Sequence, residues 1–170
     1  GMGHLGAACG EVLGRFGFPV AGWSRSEKDI PGIESFSGED GLFALLARTD
    51  VLVCLLPLTP ETADILDATT LGALPPGAAL INAARGKHVV DDDLIDLLDS
   101  RHLSGATLDV YREEPLPPHH PFWTHPKIVM FPHAAAWTLP ESASPVIADN
   151  IRRTRTGQQC IGQVDSRRGY

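Results

Sequence analysis

A doubly wound α/β fold, with helices on both faces of a parallel β-sheet, is what this sequence predicts. Three observations carry the expectation. Strand-like and helix-like patterns alternate along the chain. The run Val51-Leu52-Val53-Cys54-Leu55-Leu56 is apolar throughout, as in a strand buried on both faces of a parallel sheet. The chain also opens with Gly1-Met2-Gly3-His4-Leu5-Gly6, a glycine spacing that turns a strand into a helix in such sheets.

The elements follow in order. Leu5, Ala8, Val12, Leu13 and Phe16 recur at helical spacing after the glycines, which predicts a first helix with one buried stripe. Residues 18–23 read as a strand, and 40–47 as a helix with Leu42, Phe43, Leu45 and Leu46 apolar. The buried strand at 51–56 ends at Pro57, and Thr59-Pro60-Glu61 begins a short helix, with proline allowed in its first turn. A strand at 78–82 follows the Pro75-Pro76-Gly77 turn. Asp91 is placed to cap a helix carrying Leu94, Ile95, Leu97 and Leu98. Strands at 106–110 and 128–131 complete the set, separated by a proline-rich loop at 115–126 that Phe122 and Trp123 are expected to anchor. Thr138-Leu139-Pro140-Glu141 has the form of a capping box for a last helix over 140–156.

The glycine turn normally follows a strand, and no residue precedes Gly1. The expectation is therefore a Rossmann-type sheet lacking its first strand, which lies centrally in the usual order 3-2-1-4-5-6. Its two neighbours would then carry unpaired backbone groups.

Composition narrows the function classes. A chain of 170 residues suffices for one core-bearing domain. The net charge of −7 argues against nucleic acid or an anionic membrane as the main partner. The longest apolar runs are too short to span a bilayer. Cys9, Cys54 and Cys160 are odd in number and widely spaced, which reads as reduced thiols in a cytoplasmic protein. The His119-His120 pair has no matching Cys, His or carboxylate spacing, so no metal site is expected.

In the opening turn, Gly1 permits the tight bend, Gly3 lets the backbone approach a dinucleotide pyrophosphate, and Gly6 lets the helix pack closely on the sheet. The helix N-terminus adds free N–H groups for the phosphates. At the end of the next strand an NAD site usually carries an acid for the ribose 2′-hydroxyl. Here the chain reads Trp23-Ser24-Arg25-Ser26-Glu27-Lys28. Hydroxyls and a guanidinium suit a 2′-phosphate, which favours NADPH over NADH.

Three polar residues then stand at successive strand ends. Asn82-Ala83-Ala84-Arg85-Gly86 follows one strand, Leu108-Asp109-Val110 leads into Glu113-Glu114-Pro115, and Phe131-Pro132-His133 ends the last. These ends share the edge where such sheets bind ligands. Arg85 can hold a 2-oxo acid through paired N–H donors. His4, His88, His102, His119, His120 and His125 read as structural or surface histidines; His133 differs because its strand delivers it to that edge.

Together these motifs resemble the D-2-hydroxyacid dehydrogenase family over essentially the whole chain, in particular its glyoxylate/hydroxypyruvate reductase A type. The shared features are the glycine turn, Trp23-Ser24-Arg25-Ser26, Leu56-Pro57-Leu58-Thr59-Pro60-Glu61-Thr62, Ala84-Arg85-Gly86, Leu108-Asp109-Val110-Tyr111, Glu114-Pro115-Leu116-Pro117, Pro132-His133, and the terminal Val164-Asp165 with Arg168-Gly169-Tyr170. The resemblance implies reduction of glyoxylate or hydroxypyruvate by hydride transfer from the nicotinamide. His133 would protonate the carbonyl oxygen, Glu114 would favour its imidazolium, and Arg85 would bind the carboxylate and keto oxygen. Glu113 competes for the carboxylate role, and the spacing to Pro115-Leu116 favours Glu114. The cofactor would be held by Gly1, Gly3, His4, Leu5 and Gly6, by Ser24, Arg25, Ser26 and Lys28, and by Leu56, Pro57, Asn82, Ala83 and Ala135, with Asp109 at the nicotinamide carboxamide. The resemblance further implies an NAD(P)-binding domain over 1–139, a helix and tail over 140–170 that pack on an absent N-terminal substrate domain, and a homodimer. The alternative is a dinucleotide-binding fragment or sensor without catalysis, which needs only the cofactor site.

Overall fold

A computed structural model of the chain describes residues 1–164; the Asp165, Arg168, Gly169 and Tyr170 part of the terminal motif lies outside the described residues. The chain runs through α1 (His4–Arg15), β1 (Ala21–Ser24), β2 (Glu34–Ser37), α2 (Gly38–Leu46), β3 (Val51–Cys54), α3 (Ala68–Gly72), β4 (Ala79–Asn82), α4 (Asp91–Asp99), β5 (Gly105–Leu108), β6 (Ile128–Met130) and α5 (Pro140–Arg155). Single 3-10 turns lie at Gly86–His88 and Pro121–Trp123.

Strands β3-β4-β5-β6 form one parallel sheet in chain order, with Val51 opposite Ala79, Ala79 opposite Gly105 and Ala106 opposite Ile128. β1 and β2 pair in parallel by themselves, with Ala21 opposite Glu34. Among the described residues no ladder joins the two sheets, so the expected single sheet is present as two parallel pieces. The opening residues bridge them. Met2 lies where a Cβ on Gly22 of β1 would sit, and a Cβ on Gly1 would come within 2.5 Å of the Leu55 carbonyl oxygen just beyond β3.

The core lies between the four-stranded sheet and the helices that cover it. Leu94 and Leu98, one turn apart on α4, are both fully buried with Leu46, Leu71, Leu74, Leu80, Leu103 and Leu108. This i, i+4 pair is the apolar stripe the sequence shows, and the acids of the first turn, Asp91, Asp92 and Asp93, complement the helix dipole.

Several local expectations are corrected. The stripe on α1 does not bury: Leu5, Val12 and Leu13 are exposed and Phe16 is 77% exposed. The helix packs instead through Gly6 and Gly10, where missing side chains let it close on Gly1 and Ile33. β3 is not buried on both faces, because Val51 (53% exposed) and Val53 have no layer over them among the described residues. Residues 59–64 form a turn rather than a helix, closed by Thr62 Oγ1, which donates to the Pro57 carbonyl (2.7 Å) and accepts from Thr59 N–H (2.8 Å). Val90, not Asp91, occupies the N-cap of α4, and the Asp91 carboxylate faces His120 and Arg112. The capping box proposed at Thr138 does not form; Leu139 is the N-cap and proline starts the helix, whose residues are all at least partly exposed. Phe122 enters the core as expected, but Trp123 stays exposed, with its indole N–H on the Pro117 carbonyl (2.9 Å). Two elements were unanticipated. β2 is short and half-exposed, and α3 is a single turn and a half fixed by a capping box between Asp67 and Thr70.

Candidate active site

Parallel strands all point their carboxyl ends to one edge, so the loops that follow β4, β5 and β6 converge there. Arg85 sits three residues beyond β4 at the head of the Gly86–His88 turn. Asn82 shapes that loop. It is 1% exposed, its amide donates to the Arg85 carbonyl (3.0 Å), and its Oδ1 accepts from Ala84 N–H (3.1 Å). The Asn82 side chain is therefore engaged with its own loop. Gly86 is required because a Cβ there would collide with the backbone of Tyr111 and Arg112. This contact locks the β4 loop against the β5 loop.

The β5 loop brings Glu114 to His133. Glu114 Oε2 lies 2.8 Å from His133 Nδ1, and Oε1 accepts from Tyr111 N–H (3.0 Å). Glu114, not Glu113, is the histidine's partner. With Nδ1–H donating to the carboxylate, Nε2 is the nitrogen left to carry a transferable proton. Burial pushes the Glu114 carboxyl up, but the Tyr111 N–H, the His133 contact and the Arg85 charge outweigh it and hold Glu114 below the usual carboxylate range.

His133 has a left-handed backbone, φ 55°. The next two residues are latched: Asp109 Oδ1 accepts from Ala134 N–H (2.8 Å) and Oδ2 from Ala135 N–H (2.9 Å). Asp109 is only 6% exposed, so both oxygens serve the His133 loop. Tyr111 adds a strut, its hydroxyl donating to the Phe131 carbonyl (2.8 Å).

Arg85, Glu114 and His133 line one cleft of about 230 Å³, together with Leu58, Lys87 and Arg112. Lys87 and Arg112 are residues the sequence reading did not single out. Arg112 is tied to Asp64 and Asp91 and donates to the Val89 carbonyl (2.9 Å), which braces the cleft wall.

The glycine turn fits a dinucleotide. Gly3 is the N-cap of α1, no side chain caps the helix, and a Cβ on Gly3 would meet nothing within 4 Å, so phosphates can reach the backbone there. A Cβ on Gly6 would overlap the Gly1 carbonyl, so Gly6 is needed by the turn itself rather than by packing on the sheet. His4 and Leu5 are exposed beside it. At the end of β1, the Ser24 hydroxyl donates to the Ser26 carbonyl (2.8 Å), and Lys28 N–H donates to Ser35 Oγ (3.0 Å). The Glu61 carboxyl is held below its ordinary value first by the Thr59 hydroxyl and next by its own backbone N–H, with the Arg25 charge a smaller contribution. Leu56 and Pro57 are half-buried beyond β3, and Ala83 N–H donates to the Cys54 carbonyl (3.3 Å).

Among the described residues no helix is long and apolar enough to cross a membrane. No cluster of three His, Cys, Asp or Glu able to hold a metal occurs among them.

Comparisons with known proteins agree with this layout. Residues 1–135 match the family described as D-isomer specific 2-hydroxyacid dehydrogenase, NAD binding domain. The chain is similar to a D-isomer specific 2-hydroxyacid dehydrogenase from Xanthobacter autotrophicus Py2 in complex with NADPH and MES, with 45% identity and a TM-score of 0.97, covering 100% of this chain and 70% of that one. It is also similar to an NADPH-dependent glyoxylate/hydroxypyruvate reductase from Sinorhizobium meliloti in complex with NADP and sulfate, with 40% identity, a TM-score of 0.95, and coverage of 100% and 55%. A probable 2-hydroxyacid dehydrogenase from Rhizobium etli CFN 42, in complex with NADP, HEPES and L(+)-tartaric acid, gives 35% identity, a TM-score of 0.92, and coverage of 100% and 55%. The chain thus spans between about half and 70% of these proteins. It belongs to the D-isomer specific 2-hydroxyacid dehydrogenase family and carries that family's nicotinamide-dinucleotide-binding domain.

Proposed function

We propose that the chain supplies the cofactor site and the catalytic groups for NADPH-dependent reduction of a small 2-oxo acid, glyoxylate or hydroxypyruvate, to the 2-hydroxy acid. The observation that carries this reading is the Glu114–His133 contact of 2.8 Å in the same cleft as Arg85. The nicotinamide, when bound, supplies the hydride. Arg85 binds the substrate carboxylate and keto oxygen, placing positive charge where the oxyanion develops. His133 gives the proton from Nε2, and Glu114 accepts from Nδ1–H, keeping the ring oriented. The glycine turn and the first turn of α1 take the pyrophosphate, while Ser24, Arg25, Ser26 and Lys28 surround the 2′-phosphate. Residues 1–139 act as the NAD(P)-binding unit, and α5 packs on a substrate domain. NADP and NADPH in the related structures support the cofactor choice.

The test is NADPH oxidation, followed by absorbance, with glyoxylate and with hydroxypyruvate. His133→Ala should lower turnover by roughly 10²–10⁴-fold while NADPH affinity stays near that of the wild type. A variant that keeps most of its rate removes His133 from the mechanism. A wild-type protein that binds NADPH but reduces neither acid supports the dinucleotide-binding alternative.

A further inference from the structure

His88 is fully buried and takes no part in the chemistry proposed above, yet it touches two loops that do. Its Nδ1 lies 3.3 Å from the Arg85 N–H and 3.0 Å from the Arg85 carbonyl, and its Nε2 lies 3.3 Å from the Pro57 carbonyl. Counting partners decides which ring nitrogen carries hydrogen. The Arg85 carbonyl already accepts from His88 backbone N–H (3.2 Å) and from the Asn82 amide (3.0 Å), which uses both lone pairs. The Pro57 carbonyl has one bond from Thr62 (2.7 Å) and one lone pair left. An Nε2–H tautomer therefore satisfies Pro57 and leaves Nδ1 to accept from Arg85 N–H. Each tautomer sets one bare nitrogen near a carbonyl oxygen, Nδ1 at 3.0 Å from that of Arg85 or Nε2 at 3.3 Å from that of Pro57, but only the opposite tautomer also leaves Arg85 N–H without an acceptor.

We propose that His88 is a positioning residue: as the Nε2–H tautomer it clamps the Arg85 backbone to Pro57, fixing the substrate-binding guanidinium relative to the Leu56-Pro57-Leu58 wall. Two segments far apart in the chain, 56–62 and 82–88, thereby become one rigid unit. This deepens the proposed reaction and rests on the substrate role given to Arg85.

Nitrogen-15 spectra of the imidazole in the wild-type protein provide the first test. They should show hydrogen on Nε2 and a pyridine-type Nδ1; hydrogen on Nδ1 overturns the clamp. Two variants separate its halves. In His88→Asn the side-chain oxygen stands where Nδ1 stood and can still accept from Arg85. In His88→Gln the amide nitrogen reaches Pro57, but no acceptor remains for Arg85. Each variant cuts the clamp at one end, so both should raise KM for the 2-oxo acid roughly ten-fold, with kcat and NADPH affinity within about two-fold. Equal losses of KM, kcat and NADPH affinity in both variants, or no change in either, would make His88 a core filler only. A wild-type protein without 2-oxo-acid reductase activity would remove the role given to Arg85, whereas an active wild type with an unaffected Gln variant would remove the clamp alone.

Discussion

Replacing Asp109 by Asn separates two roles for this side chain. Its oxygens accept from Ala134 N–H at 2.8 Å and Ala135 N–H at 2.9 Å, immediately after His133 with its left-handed φ of 55°. That conformation costs a non-glycine residue roughly 1–2 kcal/mol, which the latch offsets. Asn keeps one acceptor and turns an NH₂ donor toward the other N–H, so one charge-assisted bond, worth about 1.5–3 kcal/mol, is lost. Ala134 and Ala135 are themselves exposed, so water can reach the released N–H and the lower part of that range, about 2 kcal/mol, applies. For a chain of this size the unfolding midpoint should fall by about 4–8 °C. Far-UV circular dichroism on heating measures the midpoint, and a fluorescence titration measures NADPH affinity. The expected result is a lower midpoint and a reduced kcat as His133 loses its setting. An unchanged midpoint with a selective loss of NADPH affinity would refute the latch and return Asp109 to the carboxamide role that the family resemblance implies.

Two further outcomes are expected. Arg25→Ala should weaken NADPH by roughly 10–100-fold and NADH little, because one charge-assisted contact to phosphate is removed; equal losses for both cofactors in parallel titrations would exclude a 2′-phosphate contact. Glu114 is held below the ordinary carboxylate range in the folded protein, so its stabilising contribution is fully present above the unfolded value of about 4.5 and is lost as pH falls through the lower folded value. Glu114→Gln should therefore be less stable than wild type at neutral pH, and the two midpoints should converge in acid below pH 4.5; a gap that persists there would show that the contact does not act through the carboxylate's charge.

The site was legible from sequence where chemistry and strand ends coincide. Arg85, Glu114 and His133 each follow an apolar strand, and parallel strands deliver their successors to one edge whatever the side-chain packing. The glycine turn was legible for a similar reason, since the Gly1 to Gly6 spacing is a backbone requirement rather than a packing preference. Side-chain partners were not legible. The sequence does not show that the Asn82 amide closes the Arg85 loop, nor that the buried His88 ring lies between Arg85 and Pro57. Local propensity also failed at chain turns. Asp91 and Thr138 have capping side chains, yet Val90 and Leu139 occupy the caps, because Asp91 is drawn to His120 and Arg112 and because Pro140 starts its helix without a side-chain cap.

From the order of residues alone came the α/β class, the glycine turn, the strands other than β2, and three polar residues, Arg85, Glu114 and His133, that prove to line one cleft, since each depends on periodicity or on a residue's place after a strand. Only the folded chain decided which side chains line the cleft and which hold the loops in place. The difference is physical: the direction of a strand is set by its own backbone, whereas buried Asp109 and His88 acquire partners, Ala134 and Pro57, that come near them only once β3, β4, β5 and β6 lie side by side.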